Sequence, residues 1–120
     1  MPKQFFHQFE RLLASDIHAE HAWRPAVDIY RCDCGWLLKV ELAGVRPEEI
    51  EVLRDSSGVT VSGVRRDTRI YSRQEHHLME IAYSRFERRI DLPETKDAAE
   101  LRTEYNDGML LIHVILLPRG

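Results

Sequence analysis

From residue 23 onward the chain alternates apolar and polar residues with a period of two, and turn residues interrupt this alternation roughly every ten residues. Such alternation is typical of β-strands with one buried face. The strongest turn signal is Asn106-Asp107-Gly108, because Asn-Gly and Asp-Gly accept the positive φ angles of tight hairpins. No helical pattern lies between the predicted strands, which disfavours parallel βαβ units. We therefore expect an all-β, immunoglobulin-like antiparallel β-sandwich of seven or eight strands.

The same alternation makes predictions at single residues. Residues 78–92 alternate, first at Met79, Ile81 and Tyr83 and then at Phe86, Arg88, Ile90 and Leu92, and this pattern predicts strand structure that Pro93 ends. Gly63 is predicted to lie at a bend or bulge of its strand. The acidic pair Glu48-Glu49 is predicted to open a strand and to face solvent.

The last predicted strand, residues 109–117, is apolar except for His113. Alternation divides it into a core face and an outer face. The core face consists of Leu110, Ile112 and Val114, and the outer face of Met109, Leu111, His113 and Ile115. We expect the outer face either to be covered by another part of the protein or a partner subunit, or to form an apolar patch.

Residues 1–22 have a helical period instead, and we interpret them as a short amphipathic N-terminal arm. Apolar residues recur in it at spacings of three and four: Phe5, Phe6, Phe9, Leu12, Leu13 and Ile17. Pro25 ends the helical pattern, since a proline disfavours helical geometry in the residue before it. The arm either packs on its own domain or serves as an adhesive surface for self-association or for other apolar surfaces.

Composition and charge limit the classes of function. Hydrophobic residues make up 43% of the chain and charged residues 31%, which is typical of a globular protein. The net charge of −3 gives no basic field for nucleic acid. The longest apolar run is too short to cross a bilayer, and the N-terminus lacks the apolar core of a signal peptide. We therefore expect a cytoplasmic protein with no membrane or nucleic-acid partner.

Few residues suggest catalysis. The sequence contains neither a glycine-rich phosphate loop nor a nucleophile elbow, so we expect no enzyme activity and no cofactor. A zinc site would need more ligands than Cys32 and Cys34 supply, and we interpret them as plain thiols beside a turn. His76 and His77 would point to opposite faces of a strand and would not chelate one metal ion.

Five segments, in order, carry a resemblance to a known family: WRPAVDIYR, VELAGVRPEEIEV, GVTVSGVRR, YSRFERRIDLPE and TEYNDGMLLIHV. Together they make the region from Trp23 to about Ile115 similar to the α-crystallin domain of the small heat-shock proteins. Ala43 replaces the usual proline of the second segment, and Ser84 replaces the glycine of the fourth. We expect an α-crystallin domain over residues 23–118, preceded by the arm at 1–22.

The resemblance implies an ATP-independent holdase, which binds partly unfolded client proteins and prevents their aggregation. Unfolding clients expose apolar surface, and burial of such surface is favourable by about 25 cal/mol per Å². Phe5, Phe6 and Phe9 of the arm are the best candidates for client contact. The alternative is a CS-type sandwich, a co-chaperone adaptor that binds a folded chaperone.

The resemblance also implies a homodimer with a swapped strand. In bacterial and plant members, a short strand in the corresponding loop pairs with the partner's sheet edge. Here the short strand would be Arg69, Ile70, Tyr71 and Ser72, and it would pair near Ala26, Val27 and Ile29 of the other chain. Arg88 matches an arginine that makes ion pairs near the dimer interface in this family.

A second implied site is an apolar groove, which in relatives accepts an Ile-x-Ile or Ile-x-Val segment from a neighbouring chain. By analogy its walls would be Ile50 and Val52 on one side and Leu101, Thr103 and Tyr105 on the other. Members usually carry that segment in an extension beyond the last strand, whereas this sequence ends at Gly120 without a full extension. We therefore expect a dimer or small oligomer rather than a large shell.

Overall fold

A computed structural model describes residues 23–68 and 74–118 of the chain. The predicted arm, with Phe5, Phe6 and Phe9, and the predicted swapped segment Arg69–Ser72 lie outside the described residues. Within the described residues, no helix is long and apolar enough to cross a membrane.

The described residues form seven β-strands and two short 3-10 helices. The strands are β1 (Val27–Cys32), β2 (Gly35–Glu41), β3 (Glu51–Asp55), β4 (Gly58–Val64), β5 (Arg85–Asp91), β6 (Ala98–Asn106) and β7 (Met109–Leu116). The 3-10 helices are Pro47–Glu49 and Thr95–Asp97.

The strands form two antiparallel sheets, one in the order β1-β2-β7-β6 and the other in the order β3-β4-β5. Three of the connections are tight hairpins, closed by the pairs Cys32 with Gly35, Asp55 with Gly58, and Asn106 with Met109. The prediction of an all-β antiparallel sandwich is therefore confirmed, with seven strands in the described residues.

The core lies between the two sheets and is built by every second residue of each inner strand. In β7, Leu110, Ile112 and Val114 are at most 3% exposed, which confirms their predicted inward face. Their core neighbours are Leu38, Val40, Leu42, Val45, Val59, Val61, Phe86, Ile90 and Leu92. Each fully buried aliphatic side chain contributes about 1.5–3 kcal/mol relative to an exposed one, so this alternation fixes which face of each strand points inward.

The prediction of strand structure over residues 78–92 is wrong in its first half. β5 begins only at Arg85, which pairs with Val64, the last residue of β4. One further backbone hydrogen bond, from Arg65 N–H to the carbonyl oxygen of Ser84 at 3.0 Å, continues the pairing, and residues 78–83 lie outside any strand. Leu78, Met79 and Ile81 are instead 75%, 60% and 64% exposed.

The prediction of a bulge at Gly63 is also wrong. Gly63 pairs with Phe86 in an unbroken register between β4 and β5. A Cβ atom at this position would lie 2.6 Å from the carbonyl oxygen of Glu49 and 3.0 Å from the ring of Phe86. The glycine is therefore required by the close approach of neighbouring atoms.

Glu49 differs from its prediction as well. It lies in the 3-10 helix Pro47–Glu49, not in a strand, and its carboxylate accepts hydrogen bonds from Arg66. The Nε atom of Arg66 is 3.0 Å from Oε1 and 3.2 Å from Oε2 of Glu49. This ion pair fastens the start of the β4–β5 connection to the 3-10 helix.

Candidate interaction surfaces

The base of the long connection between β4 and β5 is closed by Arg65. Its guanidinium lies 3.6 Å from the ring centre of Trp23, and its Nε donates to the carbonyl oxygen of Ala82 at 2.9 Å. Trp23 packs edge-to-face on Phe86 and donates its backbone N–H to Ser84 Oγ at 3.2 Å. Partial burial lowers the pKa of Arg65, and the guanidinium remains positively charged. Both ends of the connection are thus anchored beside β5.

Strand β1 forms an edge of the four-stranded sheet and, in the described part of the chain, pairs only with β2. One row of its backbone N–H and C=O groups therefore faces away from the sheet. Ile29 and Tyr30 on this strand are 46% and 39% exposed. The edge combines open backbone groups with apolar side chains, which is the surface needed for the addition of another strand.

The structure brings the three predicted edge residues together on this strand and the residue before it. The carbonyl oxygen of Ala26 accepts a hydrogen bond from the backbone N–H of Glu41 at 3.0 Å, so Ala26 extends the pairing of β1 with β2. Val27 packs against the core, whereas Ile29 is exposed. The segment predicted to pair with this edge, Arg69–Ser72, lies outside the described residues.

Arg88 lies at the centre of β5 and pairs with Val61. It shares a face of β5 with the buried residues Phe86 and Ile90, so its side chain starts from the core side of the strand. Its Nε is buried and has no hydrogen-bond partner among the described residues. A buried donor without a partner costs about 1–3 kcal/mol, so an acceptor supplied from outside would be favourable here.

On the opposite side of the sandwich, β3 and β6 are the edge strands of the two sheets and border the predicted groove. Ile50, Val52, Leu101 and Tyr105 are partly buried and pack against the core. Thr103 lies between Leu101 and Tyr105 on the same face of β6 and pairs with the fully buried Ile112, yet it is itself exposed. Four of the five predicted groove residues are therefore partly buried along β3 and β6, and Thr103 is exposed beside them.

Side-chain hydrogen bonds connect the elements along the predicted groove at two places. Arg54 of β3 donates to the carbonyl oxygen of Ala98 in β6 at 3.0 Å. Tyr105 donates its hydroxyl to the carbonyl oxygens of Leu42 and Val45, at 2.7 and 2.9 Å. Partial burial raises the pKa of Tyr105. These bonds hold β3, β6 and the turn after β2 in a fixed relation.

The outer face of β7 is half-buried. The His113 ring lies 3.3 Å from the carboxylate of Glu104 on β6. Leu111 pairs with Lys39 on one side and with Glu104 on the other. The apolar stripe of the closing strand is therefore flanked by charged residues.

One exposed apolar segment was not recognised from the sequence. The alternation at Leu78, Met79 and Ile81 predicts a strand, whereas the structure places these residues on the surface of the connection before β5. No sequence signal marks these residues as exposed, because the end of β4 at Val64 is known only from the structure. These three residues add an apolar surface to the side of the molecule that carries β5.

The sequence and fold were compared with those of known proteins. A family model described as the Hsp20/alpha crystallin family matches residues 28–119. Small heat shock protein C4 of Rickettsia felis is 30% identical over 90 residues, which make up 75% of this chain and 55% of that protein. The chain thus spans a little over half the length of this relative.

Two solved structures extend the comparison. A small heat-shock protein from Xylella fastidiosa matches with a TM-score of 0.65 and 30% identity, over 82% of this chain and 94% of that one. Heat shock protein 16.0 of Schizosaccharomyces pombe matches with a TM-score of 0.73 and 24% identity, over 82% and 91% of the two chains, and shows a shared fold. Since the family model also covers most of the sequence, this chain belongs to the Hsp20/alpha-crystallin family, the small heat-shock proteins.

Proposed function

We propose that this protein is an ATP-independent molecular chaperone, a holdase that binds partly unfolded proteins and prevents their aggregation. The observation that carries this proposal is the exposure of Leu78, Met79 and Ile81, between 60% and 75%, on one short segment. Exposed apolar side chains gain about 25 cal/mol per Å² when an unfolding client covers them. Such binding needs no chemical step, which agrees with a family function that does not depend on nucleotide hydrolysis.

The arm is the second part of the proposed client surface. Phe5, Phe6 and Phe9 follow the spacing of one apolar helical side, and aromatic side chains bury large apolar areas when they bind. This part of the proposal is supported by the sequence pattern alone.

We further propose that two chains form a dimer by strand exchange. The segment Arg69–Ser72 of each chain would pair with the β1 edge of the other between Ala26 and Tyr30. The open backbone groups of β1 and the 46% exposure of Ile29 support this arrangement. Strand addition would satisfy those backbone groups and cover an edge that is otherwise prone to aggregation. A reciprocal exchange also gives the closed two-fold symmetry that most homodimers have.

Arg88 would stabilise the same dimer. β5 is an edge strand of its sheet, and Trp23, shortly before β1, packs on Phe86 of β5, so β5 and β1 lie on the same side of the sandwich. An acceptor from the partner chain would pair the buried Nε of Arg88, which has no partner in the described residues. Charge-assisted hydrogen bonds of this kind are stronger than neutral ones.

The groove between β3 and β6 is proposed as a separate binding site for apolar side chains of an extended segment. Ile50, Val52, Leu101 and Tyr105 would form its apolar surface, and Thr103 would lie at its exposed centre. The proposed occupant is a segment of a client or of a neighbouring chain. A cytoplasmic location completes the proposal, since the exposed free thiols of Cys32 and Cys34 suit a reducing compartment.

The test is the suppression of aggregation of a model client on heating, without ATP. We expect suppression at near-equal subunit ratios, and a reduced effect when Leu78, Met79 and Ile81 are all replaced by Ser. The matched control replaces the polar residues Glu75, His76 and Glu80 of the same segment by Ser and should retain suppression. Failure of the unsubstituted protein at a several-fold excess, together with tight binding to one folded chaperone, would instead support a CS-type adaptor.

A further inference from the structure

Two exposed thiols lie side by side at the tip of the β1–β2 hairpin. Cys32 is the last residue of β1, and Cys34 belongs to the two-residue turn before β2. Their Sγ atoms are 3.7 Å apart, and both cysteines are free. The family assignment and the proposed chaperone activity make no use of this pair.

The backbone that carries the thiols is held against β7. The carbonyl oxygen of Cys34 accepts a hydrogen bond from Leu116 N–H at 2.9 Å. Gly35 has a φ angle of +148°, and a Cβ atom there would lie 1.9 Å from the carbonyl oxygen of Val114. Arg31 also donates to the carbonyl oxygen of Gly35 at 2.9 Å. The two thiols are therefore presented from a fixed turn, which lowers the entropy cost of binding one ligand with both.

The distance between the sulfur atoms suits a shared metal ion. Two thiolates at about 2.3 Å from one tetrahedral Zn²⁺ lie about 3.8 Å apart, close to the separation of Cys32 and Cys34. A disulfide would instead need an S–S distance of about 2.05 Å. It would also close a very small ring across one intervening residue.

The electrostatic surroundings of the pair favour a cation. Cys32 and Cys34 line one depression together with Glu104, Arg102 and His113. Asp33, Glu94 and Asp97 line a second depression next to Cys34. Arg31 is the cation in this depression, and it contacts the carboxylate of Glu94 at 4.0 Å. A bound cation would relieve the repulsion between two thiolates, and nearby carboxylates raise the local concentration of cations.

We propose that Cys32 and Cys34 form a chelating dithiolate site for one thiophilic divalent metal ion of the zinc and cadmium class. On binding, two S–H bonds break, two metal–sulfur bonds form, and two protons pass to solvent. Among residues 23–68 and 74–118, no group of three or more His, Cys, Asp or Glu side chains is placed to hold a metal ion. The described residues thus supply two ligands, and water or a second molecule would fill the remaining positions. This site is independent of the chaperone proposal.

The experiment titrates the full, reduced chain with Cd²⁺ and follows the ultraviolet charge-transfer absorption of cadmium–thiolate bonds. We expect saturation at one ion per chain. Replacing either cysteine, as Cys32→Ser or Cys34→Ser, should weaken binding by about 100-fold, because an intramolecular second ligand typically adds a factor of 10²–10⁴. The matched control, Cys34→Ser with Ser56→Cys, keeps two exposed thiols but moves one to the β3–β4 turn. It should bind as weakly as the single replacements.

A second measurement uses the unsubstituted chain alone. Zn²⁺ is expected to displace Cd²⁺ and to protect both cysteines from alkylation, and mass spectrometry reads out the modified residues. The proposal is overturned if the unsubstituted chain binds Cd²⁺ no more tightly than the relocated-thiol control. It is also overturned if Zn²⁺ leaves alkylation of Cys32 and Cys34 unchanged.

Discussion

The sandwich has two sides at which edge strands of the two sheets lie, β3 and β6 on one side and β1 and β5 on the other. The two sides differ in the contacts that their edge strands make. On the β3–β6 side, the bond from Arg54 to β6 and the two bonds from Tyr105 already connect the neighbouring elements. On the β1–β5 side, Ile29 is 46% exposed, and the buried Nε of Arg88 has no hydrogen-bond partner among the described residues. The elements of one side are joined by side-chain hydrogen bonds, whereas the other side has an open strand edge.

This difference indicates two kinds of partner. The groove that we propose between β3 and β6 would accept side chains, whose burial supplies the binding energy. An open strand edge requires a strand, because only another backbone pairs its N–H and C=O groups. We therefore expect dimer formation and groove binding to respond to different substitutions, and the following predictions test that separation.

The largest effect is expected from the segment that we propose to pair with β1. Replacing Arg69–Ser72 by a Gly-Ser segment of equal length removes only the side chains that would pack on the partner. Deleting Arg69–Ser72 removes these side chains and also the backbone that would pair with β1. We expect the deletion to convert the dimer to monomers, as measured by light scattering coupled to size-exclusion chromatography. Deleting residues 74–77 from the same connection is the control and should leave the dimer intact. A dimer that survives deletion of Arg69–Ser72 contradicts the strand exchange.

The next effect is expected at Arg88. Arg88→Gln removes the buried Nε donor, and we expect the dimer dissociation constant to rise at least about tenfold, since truncating a buried charged partner at an interface costs about 2–5 kcal/mol. Arg89→Gln is the matched control, because Arg89 lies on the other face of β5 and binds Asp55 and Asp91 of its own chain. Analytical ultracentrifugation over a concentration series measures both. Equal dissociation constants for the two variants would refute a role of Arg88 in dimer formation.

A smaller effect is expected from filling the groove. Thr103→Trp places a large ring at the exposed centre of the proposed groove between β3 and β6. We expect client protection in the aggregation assay to fall several-fold while the dimer mass stays unchanged. Arg102→Trp puts the same ring on the outer face of β6 and is the control. If Thr103→Trp dissociates the dimer, the two sides are not separable.

The β-sandwich could be predicted because strands with one buried face alternate apolar and polar residues with a period of two. The inward positions of Leu110, Ile112 and Val114 follow from a period of two and from the fact that a one-residue shift would expose all of them. The family resemblance also marked the positions of Trp23 and Arg65. That these two stack at 3.6 Å was not predictable, since four strands lie between them in the sequence.

The failed predictions all concern residues whose state depends on a distant neighbour. The pattern at Leu78–Ile81 is suitable for a strand, but a strand also needs an available edge, and β4 ends too early to supply it. From the sequence, Gly63 suggests a bend or bulge, whereas in the structure it lies in a regular strand and leaves space for Glu49 and Phe86. A local stretch of sequence shows whether its side chains suit a strand. It does not show whether a strand edge is available for pairing.

Among the smaller effects, the rigidity of the groove is expected to depend on Tyr105. Tyr105→Phe removes the hydroxyl that binds the carbonyl oxygens of Leu42 and Val45. We expect the free energy of unfolding to fall by about 1 kcal/mol, the usual net value of such a hydrogen bond. Tyr30→Phe, on the exposed β1 strand, is the control and should change stability less. Thermal unfolding measured by circular dichroism compares them, and an equal effect of the two substitutions would contradict the proposed bridge.

The smallest effect is expected on the outer face of the three-stranded sheet, where Arg89 binds the carboxylate of Asp55 across β4. This contact and the backbone N–H of Ser57, which donates to Asp55 at 2.8 Å, hold the pKa of Asp55 well below its ordinary value of 3.8. Because the folded state lowers this pKa, the stabilisation is present above the unfolded value and is lost as the pH falls below it.

The expected signature is therefore a difference that depends on pH. Arg89→Gln should lower the urea midpoint at about pH 7, and its difference from the unsubstituted protein should shrink as the pH falls below about 4. Arg54→Gln is the control, since Arg54 donates to a backbone carbonyl that does not titrate. Its effect should remain nearly constant over the same range. Because the Arg89–Asp55 pair is solvent-exposed, high salt should also weaken its contribution. If the difference in urea midpoint changes with neither pH nor salt, Arg89 acts through packing and not through its charge.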